Sequence, residues 1–584
     1  GEGHCATQGV HLFYQVALAD AAYGGITGHL AQGIHTVSKQ QCATAHTRGS
    51  EARLGTGMAA TDYDHIKLLS ILHYRGPHLP TLHRPGGRDY TWATPVVQNL
   101  FGLRPARLLQ EFGQRVGGLC KVLPSAYATR HNFTYSTKVW MFMDWLLAAL
   151  ALFNLVSMVT VFSPRAVPRK DVPWAMFGTA LLATEMAWIW LPLQAFIAWL
   201  LSLGGALDSG LGSFAMFVLV VTWAGLVWSI WMSTKAEAIV EDALSRGLGH
   251  NYRSQIPLPI QSTMRRDVAF KDWSNPLSMR RPEVERLRHI PYGPGGVRQQ
   301  LDIYRPRVIP EEGCPVLLQI HGGAWMIGDK GSQALPLMYE LASRGWICVA
   351  ANYRLSPSVG FPTHLHDCKS ALCWIRENGR EYGMNPDFVA VTGGSAGGHL
   401  AALMGLTANR PELQPDHPDT DTSIQACIPF YGVYDFMVRY SQHPNRHIYQ
   451  RFLRGKVMYE TAEENPALWE LASPIAQIQP DLPPFMVLHG TLDSLAVVNE
   501  GRVFSQKLRE TSLSPVVYVE MAGAEHAWDT VHSLRTEHTI NGIHRFLEWA
   551  RAAQAAQSKT PDAVAEESAE TEVDTPEEEL VEPC

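Results

Sequence analysis

The segment Phe388-Val389-Ala390-Val391-Thr392-Gly393-Gly394-Ser395-Ala396-Gly397-Gly398-His399 constrains the fold more than any other. Its apolar, β-branched start reads as a buried strand, and the Ala/Leu-rich stretch from His399 reads as a helix. One sharp turn joins them, with Gly393 two places before Ser395 and Gly397 two places after it. A strand that turns directly into a helix strains the residue at its tip, and side chains at the flanking positions would crowd it. G-x-S-x-G carries weight only in that setting. Motif and setting coincide here, so Ser395 is expected at the tip of the turn.

Other elements fall in a matching order. His321-Gly322-Gly323-Ala324-Trp325 follows the apolar run Pro315–Ile320, Asp493 follows Phe485–His489, and His526 follows Val516–Met521. Further strands are expected at Gln300–Tyr304, Ile347–Asn352 and Gln425–Phe430, with helices at Ser332–Ser343, His364–Glu381, His399–Ala408 and Glu500–Glu510. Apolar central strands separated by helices imply an α/β fold: a mostly parallel sheet covered on both faces. The segment 433–471, rich in Tyr, Arg and Glu, reads as an inserted helical cap.

A serine hydroxyl is a poor nucleophile unless a base lies within hydrogen-bond reach and a third group orients that base. Ser395, His526 and Asp493 are the candidates for these three roles. Ala396, Gly323 and Ala324 are the candidate backbone donors to a developing oxyanion, with Gly322 letting the chain approach closely. His321 is expected to prop this loop. Asp435, Asp367 and Glu525 compete for the acid and His489 for the base, but Asp435 precedes the cap, Asp367 sits in a helical pattern, and Glu525 adjoins His526. No P-loop, dinucleotide fingerprint or metal-ligand spacing occurs in this part, so no cofactor and no metal are expected. His29, His35, Cys42 and His46 match no zinc module.

On these residues the chain resembles the hormone-sensitive-lipase-like branch of the α/β hydrolases, over residues 290 to 550. The resemblance implies a carboxylesterase in which Ser395, Asp493 and His526 form the triad and Gly323, Ala324 and Ala396 the oxyanion site. Two departures stand out. Ala324 occupies the place where a third glycine is commonest, and Gly394 the place where that branch usually has Asp.

The rest of the chain differs in composition. Residues 141 to 232 hold three long apolar runs, Met141–Phe162, Trp174–Leu203 and Leu211–Met232. The first spans about 33 Å as a helix, enough for a bilayer core. Trp140, Trp145, Trp174, Trp228 and Trp231 crowd the run ends, as an interfacial belt would. Glu185 is costly in lipid and is expected to face a partner or a water-filled site. The expected organisation is 1–139 of unassigned character, 140–232 membrane region, 233–288 polar connector along the membrane surface, 289–552 catalytic domain and 553–584 acidic disordered tail. The first residue is Gly1, so Met58, Met141 and Met143 are candidate starts of translation. Every catalytic element lies outside 1–139 and the tail after Lys559, so both are expected to be dispensable for turnover.

The net charge of −7 comes from that tail, which carries ten acidic residues and one lysine from Lys559 onward. Basic residues elsewhere are scattered, which argues against nucleic acid as a partner. The nine cysteines include no C-x-x-C pair and read as reduced thiols packed as small hydrophobes. Arg165, Arg169 and Lys170 between the first two runs place that loop and, with three spans, the catalytic domain in the cytoplasm. The second run, about 45 Å long as a helix, is expected to be one tilted or kinked span; two spans broken at Pro192 would reverse this placement. The overall expectation is a membrane-anchored serine carboxylesterase for short- to medium-chain esters, with a small or lipid-like ester as its substrate. A peptidase or amidase of the same superfamily, and a silent hydrolase fold used as a receptor or scaffold, are the alternatives. The sequence leaves the oligomeric state open.

Overall fold

The structure is a computed structural model. It describes residues 128–162, 173–264, 267–440 and 446–571. His29, His35, Cys42 and His46, and the unassigned region up to residue 127, lie outside the described residues.

Eight strands form one sheet: β1 Val284–Pro291, β2 Gln300–Pro306, β3 Cys314–Ile320, β4 Ile347–Ala351, β5 Met384–Gly394, β6 Ala426–Phe430, β7 Phe485–Gly490 and β8 Val516–Met521. Their order is β1-β2-β4-β3-β5-β6-β7-β8. Pairing is antiparallel at β1–β2 and β2–β4 and parallel everywhere else. This is the expected α/β fold, with all seven anticipated strands in place. Every residue of β3, β4, β6 and β7 is buried, as strands covered on both faces should be. The additional strand β1 lies at the sheet edge, where exposed polar residues hide the apolar alternation.

The membrane-like region forms α1 Ala128–Phe162, α2 Pro173–Glu185, α3 Ala187–Leu203 and α4 Gly210–Ser233. Two segments, Phe142–Phe162 and Gly210–Leu248, are long and apolar enough to cross a bilayer; Phe177–Glu185 and Ala187–Leu203 form a pair bent by 95°. The second apolar run is therefore not one tilted or gently kinked helix. Nor does it break at Pro192, which lies inside α3. The break falls at Met186, directly after Glu185. Asn154 of α1 donates to Thr222 of α4 at 2.6 Å, and Gln194 of α3 donates to Asn154 at 3.0 Å. The Trp223 indole donates to Gln194 at 2.8 Å. Buried amides of this kind tie helices together where apolar surface alone gives no preference among partners.

Two packing layers fix the sense of these helices. Leu147 of α1, Ala198 of α3, and Ala215 and Leu219 of α4 share one cluster. Met158 and Val161 of α1, Ala180 and Ala183 of α2, Ala187 of α3 and Leu226 of α4 share the other, together with Leu492 of the hydrolase. The ends of α1 and α4 and the start of α3 thus meet the catalytic domain, and α2 stays in that same layer.

Two sequence boundaries move. Residues 233–288 are not a polar connector: α5 Ala236–Leu248 buries Val240, Ala243 and Leu244 in the same cluster as Val517 and Val519 of β8. Its four-residue spacing reads as amphipathic, but its many charges mask that face in a composition scan. The terminal helix α6 Leu534–Thr571 also continues well into the segment assigned to a disordered tail. Ala, Gln and Glu dominate the extension and favour helix; residues 572–584 lie outside the described residues.

Candidate active site

Ser395 sits where β5 ends and the helix Ala396–Leu406 begins. Its backbone adopts φ 58° and ψ −121°, a region that side chains avoid. The turn is possible because its neighbours lack side chains. A Cβ on Gly393 would lie 2.4 Å from the Gly397 carbonyl oxygen, and one on Gly397 would lie 2.1 Å from that of Ile320. Both approaches are to backbone, which cannot yield.

Asp493, just past β7, receives the His526 imidazole on its carboxylate: Nδ1 to Oδ2 is 2.7 Å. The other carboxylate oxygen accepts the N–H groups of Leu495 at 2.9 Å and Ala496 at 2.7 Å. Burial alone would raise the Asp493 pKa. The His526 charge and hydrogen bonds from His489 and His526 outweigh it and hold the carboxyl well below its usual range. Burial likewise opposes a charged His526, yet the Asp493 carboxylate prevails and the imidazole pKa is raised. With Nδ1 committed to Asp493, Nε2 is the nitrogen left for proton transfer.

The rivals are accounted for. His489 also approaches Asp493, at 3.4 Å, but its Nε2 bonds the Ala496 carbonyl at 2.9 Å and its ring is wholly buried. Asp435 accepts the backbone N–H groups of Arg439 and Tyr440, and Asp367 pairs with Arg354 at 2.6 Å. Glu525 turns away from the imidazole and accepts the N–H groups of Ser494 at 2.8 Å and His526 at 2.9 Å.

The glycine loop after β3 presses on the elbow: a Cβ on Gly322 would lie 2.5 Å from the Gly394 carbonyl oxygen and 3.1 Å from the Ser395 Cβ. The Gly322 N–H is taken by the Gln333 side chain at 2.6 Å. Gly322 therefore serves close approach and does not supply a donor. The N–H groups of Gly323 and Ala324 have no partner among the described residues, and that of Ala396, at the first helical position, has no intrahelical acceptor. Ala324 has φ 53° and Trp325 φ 59°, so the loop keeps a left-handed bend without a third glycine. His321 props it: Nδ1 contacts the Gly322 carbonyl at 2.8 Å, the ring stacks on Tyr353, and burial pushes its pKa down to about 4.

Gly394 also acquires a reason. A Cβ there would approach the Tyr431 hydroxyl to 2.7 Å. That hydroxyl donates to Asp529, and the Tyr431 ring lies 4.5 Å from the His526 ring. Tyr431 thus fills the space between elbow and histidine that a larger residue at 394 would need. Sequence reasoning missed Tyr431, Asp529 and Gln333. Only the dipeptide Tyr431-Gly432 after a strand hinted at the first. The cap closes over the loop, with Trp325 donating to His399 at 3.3 Å and packing on Phe436. His399 Nε2 contacts the Ala472 carbonyl at 2.8 Å.

Comparison with known proteins agrees with this architecture. The family model BD-FAE matches residues 301–508. Esterase LipQ of Mycobacterium tuberculosis is 39% identical over 320 residues, covering 54% of this chain and 75% of LipQ. The probable carboxylic ester hydrolase LipM of the same organism is 42% identical over 337 residues, covering 57% of this chain and 77% of LipM. Esterase LipC, also from that organism, is 37% identical over 283 residues, covering 48% and 70%. With this sheet, this ordered set of residues and these relatives, the chain belongs to the esterases of the α/β-hydrolase superfamily.

Proposed function

We propose that the chain is a membrane-anchored serine carboxylesterase that cleaves short- to medium-chain acyl esters through an acyl-enzyme. The observation that carries the mechanism is the 2.7 Å contact between His526 Nδ1 and Asp493. It sets the imidazole tautomer and supports the imidazolium that forms when Nε2 takes the Ser395 proton. In the reaction, Ser395 Oγ bonds the ester carbonyl carbon, and the carbonyl oxygen becomes an oxyanion before the N–H groups of Gly323, Ala324 and Ala396. Collapse of this intermediate breaks the bond to the alcohol, which leaves with the proton held by His526. Water then repeats the sequence on the acyl-Ser395 ester, returning the carboxylic acid and the free serine.

The helix arrangement supports the anchoring. α1, α3 and α4 run between the two packing layers, while α2 remains in the layer beside the hydrolase. In this reading three helices cross, and α2 lies along the membrane face. α3, about 25 Å long, is short for a bilayer core of about 30 Å. The described ends of α1 and α4 then lie on the hydrolase side, and the basic residues that follow Phe162 in the sequence, Arg165, Arg169 and Lys170, favour the cytoplasm for that side. Two experiments test the proposal. A panel of p-nitrophenyl esters and matched anilides, on full-length protein in detergent, should show turnover of acetate to octanoate esters and none of the anilides. Comparable amide turnover would overturn the esterase assignment. A reporter fused after Ala552 should be active only inside the cell; external activity would overturn the topology.

A further inference from the structure

The helix α2 does more than sit under the hydrolase. Phe177, on its first turns, lies edge-to-face against the ring of His526, with centroids 6.2 Å apart. Leu492, the residue before Asp493, packs in the cluster formed by Ala180, Ala183, Met158 and Leu226. Two of the three proposed triad members are therefore touched, directly or through a neighbour, by the apolar helices.

A polar joint holds this contact in place. Arg535 is wholly buried, and its guanidinium reaches the Glu185 carboxylate at 3.0 Å and the carbonyls of Thr184 and Ser229 at 3.1 Å each. Its Nε donates to the carbonyl of Ala522, four residues before His526, at 3.0 Å. Ser533 adds a bond to the second Glu185 oxygen at 2.7 Å. A helix broken at Met186 leaves carbonyls without intrahelical partners, and Arg535 satisfies the one at Thr184. One side chain thereby links the end of α2, the end of α4 and the loop that presents the histidine. Gly523 in that loop is shaped to the joint: its φ is +68°, and a Cβ would lie 2.8 Å from the Arg535 guanidinium.

We propose that α2 is a wall of the active site, with Phe177 a specificity-determining residue for the apolar part of the ester, held against His526 by the Glu185–Arg535 joint. The inference rests on the Ser395–His526–Asp493 reading. An ester bound at Ser395 has its reacting carbon within reach of the imidazole, so an aromatic ring set against that imidazole stands close enough to limit the substrate's bulk. Because Phe177 belongs to the apolar region, an acyl chain held there lies between the hydrolase and the lipid face. Long, membrane-partitioned esters are then the substrates it screens.

The test uses full-length protein in detergent micelles and p-nitrophenyl acetate, butyrate, octanoate and laurate. Fluorophosphonate labelling of each variant first establishes an active site; absence of labelling in the parent protein would refute the triad reading itself. With labelling present, Phe177→Ala should raise the laurate-to-acetate ratio of kcat/KM by about tenfold, and Phe177→Trp should lower it. Phe177→Leu, which keeps the packing, should shift it in the same sense as Ala by a smaller factor and carries the test if the larger change prevents folding. Phe214→Ala, at an exposed site on α4, is the control and should leave the ratio unchanged. A ratio that stays within twofold in the folded Phe177 variants would overturn the proposal.

Discussion

Arg535 and Glu185 meet at 3.0 Å with both side chains wholly buried, 350 residues apart in the chain. The pair joins a broken helix of the apolar region to the loop that carries His526. An ion pair removed from water gains little over apolar packing of the same shape, but half of one is costly. Arg535→Met should therefore destabilise the protein by about 3–5 kcal/mol. The double change Glu185→Met with Arg535→Met should recover a large part of that loss. Thermal unfolding in detergent measures both. A double variant as unstable as the sum of the two single ones would show that the charges contribute independently.

The acidic limb of the rate profile should report His526. The Asp493 carboxylate, working against burial, raises the imidazole pKa above 6.5. The neutral base is then lost as pH falls through that raised value. The kcat/KM for a neutral ester should fall on the acid side with an apparent pKa above 6.5. Asp493→Asn should move this limb to lower pH and reduce kcat by about 10⁴-fold.

His489 lies near Asp493 as well, so the two histidines need separating. The His489 ring is sealed against Gly501 and bonded to Ala496, and it takes no proton from Ser395 in this account. His489→Gln should lower kcat by no more than about tenfold, whereas His526→Gln should cost several orders of magnitude. Equal losses would contradict the assignment of the base.

Glu525 makes a stability prediction with a defined sign. Burial first, then the Asp493 charge, raises its pKa to about 7. A carboxyl whose folded pKa is raised stabilises the fold fully below its unfolded value and loses that contribution as pH rises through the folded one. The loss starts near pH 4.5, is complete just above pH 7, and amounts to about 3 kcal/mol. Glu525→Gln keeps an acceptor for the Ser494 and His526 N–H groups without the charge. Its Tm should match the parent's near pH 4.5 and exceed it at pH 8; no difference at pH 8 would contradict the raised pKa.

The sheet, the turn at Ser395 and the pairing of His526 with Asp493 were legible because their signals are local. Buried strands such as Pro315–Ile320 announce themselves by uninterrupted apolar runs, and a serine between Gly393 and Gly397 by the turn it requires. What was illegible depends on distant contacts. Nothing near Phe177 says that it meets His526, and nothing near Arg535 in an ordinary helix start says that it caps a helix broken 350 residues earlier. Glu185 did signal the need for a partner, through its cost in an apolar run, but not which residue would answer. The break after it was missed because a helix end is normally read from glycine or proline. Here tertiary hydrogen bonds end the helix. Gly394, a departure from the resembled branch, became intelligible only when Tyr431 was seen in the space beside it.

The proposed reaction begins at Ser395 as the nucleophile of this esterase fold. Full-length protein treated with a fluorophosphonate probe, digested and sequenced by mass spectrometry tests it most directly. A single adduct is expected on the peptide containing Ser395, lost in Ser395→Ala together with esterase activity while the Tm is nearly unchanged. An adduct on another serine, or esterase activity that persists in Ser395→Ala, would contradict it.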